Sequence, residues 1–220
     1  MKSAKIPLDS LLSSGKWRAE LFVYEKLALQ SKRFKSAKLI DVVEESKIAR
    51  NPRELGGNFY YIGLENIAPV TGDPLNIEKK NAEQVRSRSK EFSKGDVLYG
   101  RLRPYLRKSF YVESPFDKGI CSTEFIVLNP NAQLILGEFL REVLITKEIT
   151  DQLVRLQSGA SLPRVSAKDL LAIKIPLPSM DVQKNIVEEL RQLKSERLNF
   201  ERLARECIGK SQSVLVENIS

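Results

Sequence analysis

The chain has 220 residues, a net charge of +8, 42% hydrophobic and 29% charged residues; this suits one domain plus an accessory element, or two small domains, with a real core and no compositional mark of disorder. It has no histidine and two cysteines, Cys121 and Cys207. That excludes Ser-His-Asp and Cys-His nucleophiles, histidine-ligated metals and a disulfide framework. The N-terminus lacks the apolar core of a signal peptide, and no run approaches the roughly 18 apolar residues of a membrane helix. The expectation is a cytoplasmic protein with no membrane partner.

In chain order, the pattern predicts a helix over about 18–34, with Leu21, Phe22, Leu27 and Ala28 on one side. A β-rich middle follows. Leu39–Val43, Phe59–Leu64, Asp96–Tyr99, Ser109–Val112 and Ile120–Leu128 read as short strands between Gly, Pro, Asn and Ser clusters. Gly56-Gly57 reads as a turn. One amphipathic helix is expected over about 135–157, carrying Leu136, Leu140, Val143, Leu144, Leu153 and Leu156, with Gly159 as its stop. Ser166-Ala167-Lys168-Asp169 reads as a capping box, and Ala172–Leu177 as a strand.

After Pro178 the character changes. Residues 179–217 hold no proline and one glycine, Gly209. Ile186, Leu190, Leu193, Arg197, Phe200, Ala204, Cys207, Ser211 and Val214 recur at 4,3 spacing, a coiled-coil seam interrupted by Arg197 and Ser211. The division is therefore a globular domain over 1–178 and a long helix over 179–220.

The charge is concentrated. Residues 86–108 carry eight Lys or Arg against two Asp or Glu, in Arg86-Ser87-Arg88-Ser89-Lys90 and in Arg101-Leu102-Arg103-Pro104-Tyr105-Leu106-Arg107-Lys108. Guanidinium forks pair with phosphate and with guanine edges, and Tyr99 and Tyr105 are interleaved with them. A solvated basic face gives the same pattern, and composition alone does not choose. Gln157-Ser158-Gly159-Ala160-Ser161-Leu162-Pro163-Arg164 forms a small polar loop, which also reads as an ordinary helix end and turn.

Enzyme motifs are missing. There is no phosphate loop, no dinucleotide turn and no Asn/Asp-Pro-Pro-aromatic loop. Glu45-Ser46-Lys47 and Glu78-Lys79-Lys80 match the short acid-x-Lys pair of metal-dependent nucleases. Asp41 lies too close before Glu45 to come from a neighbouring strand. A metal-dependent nuclease, and a coiled-coil assembly partner that never touches DNA, stay open as alternatives.

Gly95-Asp96-Val97-Leu98 followed by Arg101–Leu106, then Cys121-Ser122-Thr123-Glu124-Phe125, then Gly159–Arg164, then Ile175–Pro178 with Gln183 and a charged helix, resemble the specificity subunits of type I restriction-modification enzymes. Trp17–Phe22 is similar to the lead-in to a recognition domain in that family. The resemblance spans about residues 37–215. It implies an α+β target recognition domain with a β-rich core, followed by a long C-terminal coiled-coil helix. It also implies a non-catalytic chain that binds double-stranded DNA and joins methylation subunits and a restriction subunit. It places S-adenosylmethionine, ATP and Mg²⁺ on those partners and none on this chain.

Members usually carry two recognition domains and two long helices. This chain has one of each, so it resembles a half-subunit or half of a longer one. Pairing through Ile186, Leu190, Leu193, Phe200, Ala204 and Cys207 would then rebuild the pair as a homodimer. Residues shared by members with different targets cannot choose bases, and they suit phosphate or the fold. Arg101, Arg103, Arg107, Lys108, Ser161 and Arg164 are therefore expected at the backbone. Base readers are expected in Lys47–Asn58 and Thr71–Lys94, among them Lys79, Lys80, Arg86 and Arg88.

Overall fold

The protein is described from a computed structural model over residues 34–219, the side chains of Leu55 and of 211–219 excepted. The helix expected over 18–34 lies outside the described residues. Those residues divide into two units, one ending at Ile186 and one running from Val187.

Eleven strands form three sheets among the described residues. β1 (Ser36–Lys38) pairs antiparallel with β11 (Lys174–Pro176). A four-stranded sheet runs β2 (Val43–Ser46), β10 (Phe125–Pro130), β7 (Val97–Gly100), β8 (Ser109–Tyr111). A five-stranded sheet runs β3 (Ala49–Arg50), β6 (Ser89–Ser93), β9 (Lys118–Ser122), β4 (Asn58–Ile62), β5 (Lys79–Asn81).

Side chains alternate across each strand, so every strand offers one face to each side. Ile62, Phe92 and Cys121 from the five-stranded sheet meet Leu98, Phe110, Phe125 and Val127 from the four-stranded sheet in one buried cluster. Burial pushes the Cys121 thiol up to about 12. Val97, Tyr99, Ile126 and Leu128 occupy the alternate positions of β7 and β10 and are also buried. On that side the sheet meets α2 (Gly137–Leu144), which buries Phe139, Leu140, Val143 and Leu144.

Several strand assignments differ from expectation, β1 among them. Leu39–Asp41 is a 3₁₀ turn, not a strand; the Asp41 carboxylate accepts from the Lys38 amide and turns the chain between β1 and β2. Ile120–Leu128 is two strands in two different sheets, separated at Thr123-Glu124. β3, β5 and β6 escaped notice because Ala49–Arg50, Lys79–Asn81 and much of Ser89–Ser93 are charged or polar edge-type sequence.

The helix expected over 135–157 is two helices, α2 and α3 (Lys147–Leu156). Thr146 is the reason. Its hydroxyl donates to the Val143 carbonyl at 2.8 Å, closing α2, and accepts from the Ile149 amide, opening α3. α1 (Pro52–Leu55) follows an Asn51 cap and ends in Gly56 and Gly57, both at positive φ, so that pair is the expected turn. Ser166 caps α4 (Ala167–Ala172) as its sequence suggests, accepting from the Asp169 amide at 3.0 Å.

Asp96, in the Gly95–Leu98 signature, is structural. Its carboxylate accepts from the Ser93 amide at 2.7 Å and from the Asn129 amide group at 3.2 Å, stapling the β6–β7 turn. Burial raises its pKa above the usual carboxylate range, and these two hydrogen bonds pull it back.

α5 (Met180–Ile219) is one helix of 40 residues that runs through Gly209. At about 1.5 Å per residue it is about 60 Å long. Its first turns are pinned by Gln183, which is fully buried. The Gln183 side-chain carbonyl accepts from the Leu136 amide at 2.9 Å, and its amide donates to the Leu134 and Pro178 carbonyls at 3.0 Å. Leu136 precedes α2, so one side chain fixes the start of α5 to the body of the first unit.

Gln183→Ala leaves that buried amide and two carbonyls unmet. It is expected to cost about 2–3 kcal/mol of unfolding free energy. Gln183→Glu retains the acceptor but lacks the donor and is expected to fall nearly as far. Urea denaturation of the three proteins checks both.

Candidate nucleic-acid interface

Three segments far apart in sequence meet at one junction in the first unit. The Arg101 amide donates to the Glu124 carbonyl at 2.9 Å. The Val165 amide donates to the Arg101 carbonyl at 3.0 Å, and the Arg103 amide to the Pro163 carbonyl at 2.7 Å. Ser158 and Arg164 exchange backbone hydrogen bonds at 2.9 and 2.8 Å, closing the small polar loop on itself. Gly159 sits in that loop at φ +97°, where a Cβ would lie 3.2 Å from the Leu162 carbonyl oxygen. The signatures at Arg101–Leu106, Cys121–Phe125 and Gly159–Arg164 are thus parts of one object.

The arginine-bearing turn is strained. Arg103 and Arg107, at φ 51° and 52°, are both left-handed and flank a 3₁₀ turn over Pro104–Leu106. A left-handed residue other than glycine costs about 1–2 kcal/mol, and such strain persists only where surrounding contacts impose it. Here the Val70 amide holds the Leu106 carbonyl at 3.1 Å, and α3 packs against the turn.

The expected backbone-contacting residues take different places. The Arg103 side chain is exposed, and its guanidinium has no hydrogen-bond or ion-pair partner among the described residues. Arg101 and Arg107 are half-buried, each with its Nε enclosed and without an acceptor among the described residues. Ser161 is exposed in the loop. Lys108 turns inward: its Nζ donates to the Leu64 carbonyl at 2.6 Å, and partial burial lowers its pKa.

Arg164 is held by Glu124. Its Nε donates to both carboxylate oxygens at 3.0 Å, its Nη2 to Oε1 at 2.7 Å and its Nη1 to the Leu162 carbonyl at 3.0 Å. Around this junction Tyr105, Leu156 and Leu162 are 50%, 46% and 45% exposed.

The expected base-reading residues lie along the β4–β5 edge and the segment after it. Lys79 sits over the Tyr60 ring at 5.2 Å and Lys80 over the Tyr61 ring at 4.5 Å. Arg86 is exposed with no partner among the described residues. Arg88 is exposed, with Nη2 3.4 Å from the Ala49 carbonyl. The edge is linked to the junction. The Tyr61 hydroxyl, its pKa raised by burial, lies beside the Ser122 side chain, Ser122 Oγ accepts from the Glu124 amide at 3.2 Å, and Ser122 pairs with Ser89, the residue after Arg88.

Sequence reasoning missed Tyr61, Ser122 and Glu124. Their signal lay in the Cys121–Phe125 signature and in the Tyr60-Tyr61 doublet, but an acid and two neutral groups do not stand out in a search for cations.

The Glu45 carboxylate lies 3.8 Å from the Lys47 ammonium and 4.0 Å from that of Lys90, and Glu78 lies in the loop before β5. Among the described residues no group of three or more His, Cys, Asp or Glu could hold a metal ion. No described helix is long and apolar enough to cross a membrane.

The family model for the type I restriction modification DNA specificity domain matches residues 31–205. The chain belongs to that family. It is 27% identical over 150 residues to the HindI specificity subunit of Haemophilus influenzae, covering 64% of this chain and 33% of that protein. It is 27% identical over 164 residues to the EcoDI specificity subunit of Escherichia coli, covering 73% of this chain and 36% of that protein. Its fold matches the HsdS subunit of Thermoanaerobacter tengcongensis with a TM-score of 0.68 and 28% identity, covering 79% of this chain and 45% of that one. The chain thus spans about a third of the length of the curated specificity subunits it matches. The α+β fold with a long C-terminal helix is that of the family, whose specificity subunits are non-catalytic.

The left-handed arginines give this specificity domain a separable test of backbone and side chain. Arg103→Gly and Arg103→Ala remove the same guanidinium, but glycine accepts the positive φ. The glycine variant is expected to be more stable than the alanine variant by about 1 kcal/mol, with DNA affinity lowered equally in both. Denaturation and fluorescence anisotropy on the pair check the two halves.

Proposed function

We propose that this chain reads one half-site of a bipartite DNA target and directs methylation and restriction subunits to it. The observation that carries the reading is the junction: three separate segments hold a strained, arginine-bearing turn in place while the Arg103 guanidinium stays exposed. In this reading Arg101, Arg103 and Arg107 meet phosphate, with Ser161 adding a donor and Lys108 and Arg164 supporting the surface from within. Lys79, Lys80, Arg86 and Arg88 face base edges. S-adenosylmethionine, ATP and Mg²⁺ belong to the partner subunits.

The second half-site requires a second reader. Leu198, Phe200, Leu203 and Ile208 on α5 are 43%, 60%, 42% and 60% exposed, which supports pairing through this helix with a second copy or a methylation subunit. A two-fold pair of identical readers requires an inverted-repeat target.

The purified chain is expected to bind duplex DNA without cutting or methylating it in Mg²⁺ and S-adenosylmethionine. Arg103→Ala should weaken binding about equally on all sequences and flatten the salt slope by roughly one unit. Arg86→Ala should change which sequence is preferred, by about 1–3 kcal/mol. Binding titrations over a salt series on several duplexes decide this. Mg²⁺-dependent cutting lost in Glu45→Ala would instead make the chain a nuclease. Full assembly with partners after neutralising Arg86, Arg88, Arg101 and Arg103, with DNA affinity unchanged, would make it a scaffold.

A further inference from the structure

The bonding of Arg164 gives it a different job from the other arginines. Three of its nitrogens are committed: Nε and Nη2 to the Glu124 carboxylate, Nη1 to the Leu162 carbonyl. The pair bridges 40 residues of sequence and is only about one-third exposed on either side. A fork-on-carboxylate pair fixes direction as well as distance. What it fixes is the spacing between the β9–β10 turn and the polar loop. These are the two walls between which the Arg101–Arg103 backbone is strung, through Arg101 N to Glu124 O, Val165 N to Arg101 O and Arg103 N to Pro163 O.

We propose that Glu124 is a positioning residue for DNA binding: through its paired Arg164 it sets the Arg101–Arg107 turn in its gripping position without touching DNA itself. The proposal rests on the reading of the chain as a DNA-binding specificity subunit and adds to it a specific acidic residue that binding needs.

The sign of the effect separates this role from ordinary electrostatics. Removing a carboxylate from a DNA-facing surface and releasing an arginine should strengthen binding, because each cation that reaches a phosphate releases counterions. A positioning role requires the opposite. If loss of the Glu124 carboxylate lets the turn shift, a phosphate contact is lost although the net charge has risen; Arg164→Gln lowers the net charge and tests only whether the two losses match. At about 0.1 M salt one phosphate contact is worth about tenfold in affinity, from a slope of about 0.9 per contact.

The test uses the full chain, a duplex of arbitrary sequence and a salt series, with melting temperature recorded for every variant. Wild type, Glu124→Gln, Arg164→Gln and the exchange Glu124→Arg with Arg164→Glu are compared below their melting range. Both single variants should bind about tenfold more weakly at 0.1 M salt, with a salt slope smaller by roughly one unit. The exchange should restore affinity and slope to within about twofold, a margin of ~0.4 kcal/mol. A destabilised but correctly placed turn would lower the melting temperature and leave the slope unchanged, which contradicts the proposal. Binding by Glu124→Gln as tight as wild type or tighter overturns it. So does an exchange that restores the melting temperature but not affinity. If wild type itself shows no affinity for duplex DNA, the reading of the whole chain falls, and that result is visible before any variant is measured.

Discussion

The backbone hydrogen bonds at Arg101 are the constraint on which the functional surface depends. Its amide is taken by Glu124 and its carbonyl by Val165, so the strand leaving β7 is trapped between segments that arrive from much later in the chain. The turn that follows has no freedom to relax. That is why Arg103 and Arg107 remain left-handed without glycine, at a cost of about 1–2 kcal/mol each. A turn free in solvent would shed that strain. This one keeps it because the Pro163 carbonyl, the Val70 amide and α3 all hold it.

The same constraint orders the rest of the recognition domain. β7 enters the junction from the middle of the protein, with the five-stranded sheet on one face and α2 on the other. β9 and β10 belong to different sheets, and the short turn between them carries Glu124. The junction therefore sits where the two sheets exchange a chain. Tyr61 and Ser122 continue the contacts outward to Lys80, and the register of β6 on β9 brings Ser89, and so Arg88, beside them. In the proposed reading, the residues that read bases and those that grip the backbone are borne by one scaffold, so edge residues could change without disturbing the grip.

Some of this was legible in the sequence. The strands Asn58–Ile62 and Val97–Gly100 were anticipated to within two residues at each end, because β-branched and aromatic runs between turn residues have few other readings. The long helix after Pro178 was equally plain from its spacing. The division at Thr146 was not, because both halves keep apolar residues in one helical register and a lone threonine does not mark a cap without its geometry. β5 was invisible for a different reason. Lys79 and Lys80 look like loop, and they become a strand only because Asn58–Tyr60 offers a partner edge and tyrosine faces to the ammonium groups. The candidate cations were found by type, yet their orientation was not readable. Lys108 turns to the Leu64 carbonyl and Arg164 to Glu124, and both outcomes depend on contacts across 40 or more residues. Resemblance brought the three signatures together as a family trait, while their meeting at one junction is a property of the fold.

The central claim is that this surface decides where methylation falls. It is tested most directly by mapping methylated bases across the genome in cells that carry the methylation subunit with and without this chain. A bipartite motif that is present only with the chain, and altered when residues Thr71–Lys94 are exchanged for those of another family member, is the predicted result. A methylation pattern that stays the same in the presence and absence of the chain would contradict the account.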